Sequence, residues 1–311
     1  MSSTLSICVV GSCNVDLTFR AERLPQPGET LPARSVHLGH GGKGANQAMM
    51  AARLGARVSL IGRVGRDAFG EQALAHYRAE GIDTTHVRLD AERPTGTAAI
   101  VVDDRANNCI LVVPGANGGV SPDDVRAAEG VLASSKAVLC QLETPLDATL
   151  TAFGLARAHG VTTILNPAPA ADLPDELLRL TDLCIPNETE AERLTGMAVT
   201  TLEQAERAAA SLRSRGPRAV LLTLGRRGVW LDEENGQRHL PTVAVEAIDP
   251  TGAGDAFIGA LAMCLLEGRS LAEAGRRAAA VAALTVTRPG AQSAFPTRAE
   301  AEAFLKVHGM G

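Results

Sequence analysis

Ile248-Asp249-Pro250-Thr251-Gly252-Ala253-Gly254-Asp255-Ala256-Phe257 is the stretch around which this chain of 311 residues is organised. Pro250 and Gly252 are turn formers, so the chain bends sharply there. The apolar run from Ala256 to Leu266 is rich in Ala and Leu and reads as a buried helix. Gly252, Ala253 and Gly254 then occupy its first turn, where N–H groups lack helical partners and the dipole favours an anion. Their small side chains let that anion approach the backbone. Asp255 beside it is badly placed to bind a phosphate and well placed to take a proton from a hydroxyl attacking one. That arrangement is phosphoryl transfer with Asp255 as base. The same residues also fit a plain tight turn followed by a first-turn helix acid.

Working outward, strands and helices alternate from the cap pair Ser121-Pro122 onward. The pattern predicts helix 122–133, strand 137–141, helix 146–159, strand 162–165, helix 174–180 and strand 183–185. Helices 188–194 and 202–214, strand 219–224, two shorter strands, and helices 254–267, 271–286 and 297–306 follow. Such alternation means βαβ units and a mostly parallel central sheet flanked by helices, an α/β fold. Strand 6–11, helix 45–54, strand 58–61 and helix 69–80 belong to the same plan. Short strands at 17–19 and 34–38, and a hairpin of 98–102 with 109–113 around the polar turn 103–108, do not. Segments 12–39 and 90–114 therefore read as a small β-sheet lid on one α/β domain spanning 1–311.

Net charge is −5 and aromatic residues make up 3%, with Lys and Arg scattered, so neither a basic stripe nor a base-stacking surface is expected. No apolar run reaches membrane length. The first residues lack a basic segment followed by an apolar one, so the expectation is a cytoplasmic protein without a signal peptide. The six cysteines contain no C-x-x-C pair, and several lie in apolar runs, which suits buried reduced thiols. The histidines form no zinc pattern.

Gly39-His40-Gly41-Gly42-Lys43-Gly44 matches G-x-G-x-x-G, but it follows a lid strand and lacks the later acid of a dinucleotide fingerprint. It is not a Walker A loop either, since position 37 is His and position 44 is Gly. Gly41 to Asn46 reads better as a polar turn opening a helix, offering N–H groups, Lys43 and Asn46 to a polyhydroxyl ligand. A ligand-free helix start fits equally. Asn14 and Asp16 follow the first strand, where open parallel sheets bind ligands, and their spacing points them the same way. The pair suits vicinal hydroxyls, or a simple Asx-turn. Glu143 closes another strand and faces the same mouth, or solvent. Asn187 and Glu190 have the form of a capping box. They equally suit a phosphate and a hydrated Mg²⁺. Thr223 and the glycines of Gly225-Arg226-Arg227-Gly228 make either a phosphate cradle or a hairpin turn.

Together these pieces resemble the ribokinase family of ATP-dependent sugar kinases. Two signatures carry the resemblance: Gly41-Gly42-Lys43-Gly44-Ala45-Asn46 with Gln47-Ala48, and Asp249 to Phe257. Asn14 with Asp16, Asn166-Pro167-Ala168-Pro169, the 186–190 stretch and the 223–228 turn follow in family order between about residues 6 and 306. The resemblance implies transfer of the ATP γ-phosphoryl group to the 5-hydroxyl of D-ribose. It implies that Asn14, Asp16, Gly42, Lys43, Asn46 and Glu143 hold the sugar, with Asp255 as base. The backbone of Gly252, Ala253 and Gly254 would be the anion hole. Asn187, Thr223, Gly225, Gly228 and Gly254 would serve ATP, and Glu190 the Mg²⁺ shell through water. A K⁺ ion would sit at Asp249, Thr251, Thr285, Arg288 and Gly290. A homodimer through the lid is implied as well.

Two departures are visible. Ala294, with Ser293 beside it, stands where related chains often offer Ser to the cation, and Ala279 is small in the helix expected to flank adenine. Competing expectations are a kinase of 2-deoxyribose, fructose or a nucleoside such as adenosine, and a non-catalytic sugar or nucleotide sensor on the same fold. Asn14 favours a ligand with a 2-hydroxyl, and Asp255 disfavours a sensor, which needs no base.

Overall fold

The computed structural model describes residues 5–105 and 107–311; Ala106, in the expected 103–108 turn, lies outside the described residues. Thirteen strands form among the described residues: β1 (Ser6–Val10), β2 (Asn14–Arg20), β3 (Ser35–Gly41), β4 (Arg57–Gly65), β5 (Asp83–Asp90), β6 (Gly96–Val102), β7 (Asn108–Val113), β8 (Ala137–Cys140), β9 (Thr162–Leu165), β10 (Leu183–Cys184), β11 (Ala219–Thr223), β12 (Val229–Glu233) and β13 (Gly236–Leu240). Nine of them make one sheet in the order β13-β12-β11-β10-β9-β8-β1-β4-β5. From β11 to β5 every pairing is parallel, and β12 and β13 close one edge antiparallel.

Side chains alternate across this sheet, so each strand feeds two cores. Ile7, Val9, Leu139, Ile164 and Leu221 pack toward the helices Lys43–Arg53, Ala253–Leu266 and Leu271–Thr285. Cys8, Val10, Val138, Cys140 and Val220 pack toward the helices Leu146–Ala158 and Leu202–Ser214. Burial on both faces explains why these strands read as continuous apolar runs.

The second sheet has the order β3-β2-β6-β7. β2 pairs β3 antiparallel and β6 parallel, and β6 pairs β7 antiparallel. Its strands run longer than the sequence pattern gives, and β3 passes the expected boundary at 39 to end at Gly41. Val36, Leu111 and Val113 leave an apolar face of this sheet more than half exposed.

Two expectations need correction. Helix 122–133 is two pieces, Pro122–Arg126 and Glu129–Ser134. Ala128 donates to Val125 O and Val131 to Ala128 O, so the chain tightens into i→i+3 bonds between them. Strand β5 was absent from the sequence pattern. Its buried residues are Thr84, Val87 and Asp90, spaced by three rather than two, and its register against β4 shifts between Ser59 and Ile61.

The helix Ala253–Leu266 is buried from Asp255 to Cys264 and packs against the helices Lys43–Arg53 and Leu271–Thr285. Gly252 caps it at φ +77°, a left-handed position that favours glycine. One turn inside, Gly259 lets the helix cross Lys43–Arg53 closely: a Cβ there would lie 2.7 Å from Met50 Cβ and 2.8 Å from Gln47 O.

Candidate active site

Strands β1, β8, β9, β10 and β11 end on one side of the sheet, and the polar residues gather just beyond those ends, as open parallel sheets favour. Lys43, Asn166, Asn187, Glu190, Thr223 and the stretch Gly252 to Asp255 line one cleft. Gly225 and Gly228 are not on that wall. They shape the turn that makes β11 and β12 a hairpin.

Asp255 is buried at the first turn of its helix. Its Oδ2 accepts from Asn46 Nδ2 at 2.9 Å and its Oδ1 from Gln47 Nε2 at 3.1 Å. Burial pushes its pKa up, while the Lys43 charge and the two amides oppose that push. Asp255 thus keeps basicity beyond an ordinary Asp while its geometry is fixed.

The expected anion hole differs in one atom. Ala253 N–H is spent on Pro250 O at 3.2 Å, closing the turn. Gly252 and Gly254 N–H carry no backbone bond among the described residues and lie on the cleft wall. Glu190 forms the expected capping box with Asn187, accepting from both its backbone and side-chain nitrogens at 2.9 Å. Burial pushes the Glu190 pKa up to about 7, against the Asn187 bond and the Lys43 charge.

A second group lies beyond Lys43. Glu143 accepts from Lys43 N at 2.9 Å and from Ser12 Oγ. Asp16 lies against Gly41, where any Cβ would collide with its carboxylate. Burial, with Glu143 and Asp255 as like charges, pushes the Asp16 pKa up to about 6. Asn14 is buried, and its Oδ1 accepts from Asn117 Nδ2 at 2.7 Å. The Asn14 Nδ2 is thereby left as the donor, with no protein acceptor among the described residues. Gly42, at φ +86°, opens the helix that carries Lys43 and Asn46.

Asp249 lies just before the helix start, and its N–H donates to the carbonyl of Val286, next to Thr285 in sequence. Asp249 accepts from Thr251 N at 2.9 Å and from Gly290 N at 2.8 Å. Arg288 pairs with Glu300 at 2.7 Å rather than with Asp249. Thr285 is buried and its hydroxyl bonds Val281 O. Ala294 is buried, and Ser293 turns its hydroxyl to Pro289 O at 3.1 Å. Ala279 is also buried, its carbonyl accepting from Thr242.

Sequence reasoning gave no role to Gln141, Asn117 or Gln292. Gln141 Nε2 donates to Gln47 Oε1 at 2.6 Å, and Gln292 Nε2 to Asn46 Oδ1 at 2.9 Å. A neutral amide carries no local signal of its partner in the sequence.

The sequence matches the pfkB family carbohydrate kinases over residues 4–298. It is 43% identical to the ribokinase of Haemophilus influenzae over 97% of this chain and 98% of that protein. It is 36% identical to the deoxyribokinase of Salmonella typhi, over 98% of this chain and 100% of that protein. A solved structure of Arabidopsis thaliana ribokinase complexed with ribose and ATP superposes with TM-score 0.90 at 35% identity, covering 97% of this chain and 99% of that one. With a match across nearly its whole length and a carboxylate held at the first turn of a buried helix, the chain belongs to the pfkB family of carbohydrate kinases.

Proposed function

We propose that this chain transfers the γ-phosphoryl group of ATP to the 5-hydroxyl of D-ribose, giving ribose 5-phosphate and ADP. The observation that carries the reading is Asp255, buried, doubly hydrogen-bonded, and in the same first turn as the open N–H groups of Gly252 and Gly254. Asp255 takes the hydroxyl proton as the oxygen attacks phosphorus and the bond to the β–γ bridging oxygen breaks. The Gly252 and Gly254 N–H groups face the charge that develops on the transferred group. Lys43 contributes a positive charge between sugar and phosphates. Asn14, Asp16, Gly42, Asn46 and Glu143 hold the sugar; Asn187, Thr223 and the turn at Gly225 and Gly228 serve the nucleotide.

The described residues contain no group of three or more His, Cys, Asp or Glu that could grip a metal. Mg²⁺ suits this site as an ion carried by the ATP phosphates, with Glu190 reaching its water shell; bound there it would neutralise phosphate charge. K⁺ suits Asp249, whose carboxylate accepts from Thr251 N and Gly290 N and has no salt-bridge partner among the described residues. The same reading takes the chain as one kinase domain, with the four-stranded sheet as lid and homodimer contact, working in the cytoplasm. No described helix is long and apolar enough to cross a membrane.

The similarity to a deoxyribokinase supports 2-deoxyribose as the second reading. ADP production measured with ribose, 2-deoxyribose, fructose and adenosine decides. Ribose is expected to give the highest kcat/KM; a higher value for any other acceptor overturns the assignment.

A further inference from the structure

We propose that Gln292 is a positioning residue for phosphoryl transfer: it dictates which end of the Asn46 amide meets Asp255. Gln292 lies outside both sequence signatures, in the short 3₁₀ turn Gln292–Ala294, and is 4% exposed. Its Nε2 donates to Asn46 Oδ1 at 2.9 Å, and Asn46 Nδ2 in turn donates to Asp255 Oδ2 at 2.9 Å. The two ends of an amide are nearly the same size, so only hydrogen bonds decide its orientation. With its oxygen occupied by Gln292, Asn46 must present N–H to the carboxylate.

The need for such a lock follows from the proposed role of Asn46 at the sugar. A hydroxyl both donates and accepts, so a sugar does not dictate which end of Asn46 it meets. A flipped Asn46 would set its oxygen against the carboxylate of Asp255 and turn it away from the attacking hydroxyl. Gln292 is itself fixed from two sides. His76 Nε2 lies 3.0 Å from Gln292 Oε1, and Arg53 donates to Gln292 O at 2.7 Å and to Phe295 O at 2.9 Å. Arg53 is paired with Glu80 at 2.6 Å. A proton on His76 Nε2 would hold Gln292 Oε1 as its acceptor and leave Gln292 Nε2 for Asn46. The other carboxylate oxygen of Asp255 has a matching device, since Gln141 orients Gln47.

The proposal rests on Asp255 being the base. Lys43, Glu143, Asp16 and Glu190 are the charged groups that also face Asp255, and all stay unchanged in the test. Gln292→Met keeps the volume and removes the donor. Gln292→Glu keeps the shape and the acceptor for His76 but turns an oxygen toward Asn46. Both are expected to lower kcat roughly 10- to 100-fold, the worth of one hydrogen bond to a charged group. KM for ATP should not move. The acid limb of the kcat–pH profile should move upward, because a carboxylate that loses a donor holds its proton more tightly. In an Asn46→Ala background, Gln292→Met should cost nothing further.

Wild-type kcat in Gln292→Met, or a loss that simply adds to that of Asn46→Ala with the pH profile unmoved, overturns the proposal. If the Gln292 variants misfold, His76→Phe removes only the group that orients Gln292. A shifted acid limb there supports the proposal and an unshifted one overturns it. Asp255→Asn separates the two layers. Full turnover in that variant removes the base and this inference together. An inactive Asp255→Asn beside a fully active Gln292→Met removes this inference alone.

Discussion

The amide of Asn46 and the carboxylate of Asp255 meet at 2.9 Å across 209 residues of chain. They meet because the helices that carry them cross closely, and because burial alone would drive Asp255 toward its neutral form. The Lys43 charge, and after it the two neutral amides, oppose that push. The result is a buried carboxylate whose proton affinity stays above that of an ordinary Asp, which suits the base proposed for it.

Asp255→Asn is expected to keep the fold and sugar binding and to lose roughly 10²- to 10⁴-fold in turnover, the worth of a positioned base. The change conserves size and removes basicity. Single-turnover rates with ATP and ribose measure it, and a loss below about tenfold would mean Asp255 is not the base.

Gly259 sets the crossing that brings Asn46 and Gln47 onto Asp255. Glycine inside a helix costs about 1 kcal/mol against alanine, so Gly259→Ala would stabilise an unhindered helix. Here the added Cβ meets Gln47 O at 2.8 Å, a backbone atom that cannot swing away. Overpacking costs typically about 1–3 kcal/mol and should win. The expected result is a lower Tm with a reduced kcat. A raised Tm would show that the helices separate freely.

Sugar affinity should depend on pH through Asp16. Its folded pKa is pushed up to about 6, first by burial and then by Glu143 and Asp255. A hydroxyl donating to the ionised carboxylate lowers that value, so binding releases a proton. Ribose KM should therefore rise as pH falls below about 6, and Asp16→Asn should be weak and flat over the same range. The stability effect has the opposite sense. A folded pKa above the unfolded one adds stability that is complete below about pH 4 and is lost as pH rises through about 6. A ribose KM independent of pH between 5 and 7 would remove Asp16 from the sugar site.

Asn14 should discriminate ribose from 2-deoxyribose. Asn117 holds its oxygen at 2.7 Å and leaves Nδ2 as a fixed donor. An amide donor left without its hydroxyl partner costs about 1–3 kcal/mol. Asn117→Ala should blur the preference without touching the sugar, because Asn14 is then free to flip. The ratio of kcat/KM for the two sugars in wild type, Asn14→Ala and Asn117→Ala measures it. Equal use of both sugars by the wild type would sink the idea.

The contrast between Asn14 and Asn117 shows where the sequence stops speaking. Strand ends, glycine turns and charged residues announce themselves locally, so Asn14, Lys43, Glu143 and Asp255 can be singled out as candidates from sequence, though Asn14 and Glu143 taken singly read as an Asx-turn and a solvated acid. Asn117, Gln141 and Gln292 are neutral amides whose partners lie 103, 94 and 246 residues away. No periodicity or spacing encodes such pairs. The parallel sheet was legible because both faces of its strands are apolar. β5 was not, because Thr84 and Asp90 fill buried positions that alternation reserves for apolar side chains.

The last prediction concerns Asp249, which ties together two loops. Its Oδ1 accepts from Thr251 N and its Oδ2 from Gly290 N. Burial works to raise its pKa, but the Thr251 side chain, then these two backbone bonds and the Arg20 charge, outweigh it and hold Asp249 below the ordinary carboxylate range, so it is an anion at neutral pH. No side-chain cation among the described residues forms a salt bridge with it, and Arg288 is engaged by Glu300. A half-buried anion next to the turn that aims the Gly252 and Gly254 N–H groups would repel an incoming phosphate. A large monovalent cation at Asp249, sharing the carbonyls of Thr251, Thr285, Arg288 and Gly290, would neutralise the anion and stiffen the turn, the preorganisation that electrostatic catalysis requires. Activity should therefore rise with KCl at fixed ionic strength, saturate, and respond poorly to LiCl. Because a ligand of the folded state raises its stability, Tm should rise with KCl over the same range. Asp249→Ala should lower the basal rate and abolish both responses. Equal rates and equal Tm in choline and potassium salts would mean that Asp249 does no more than bridge Thr251 and Gly290.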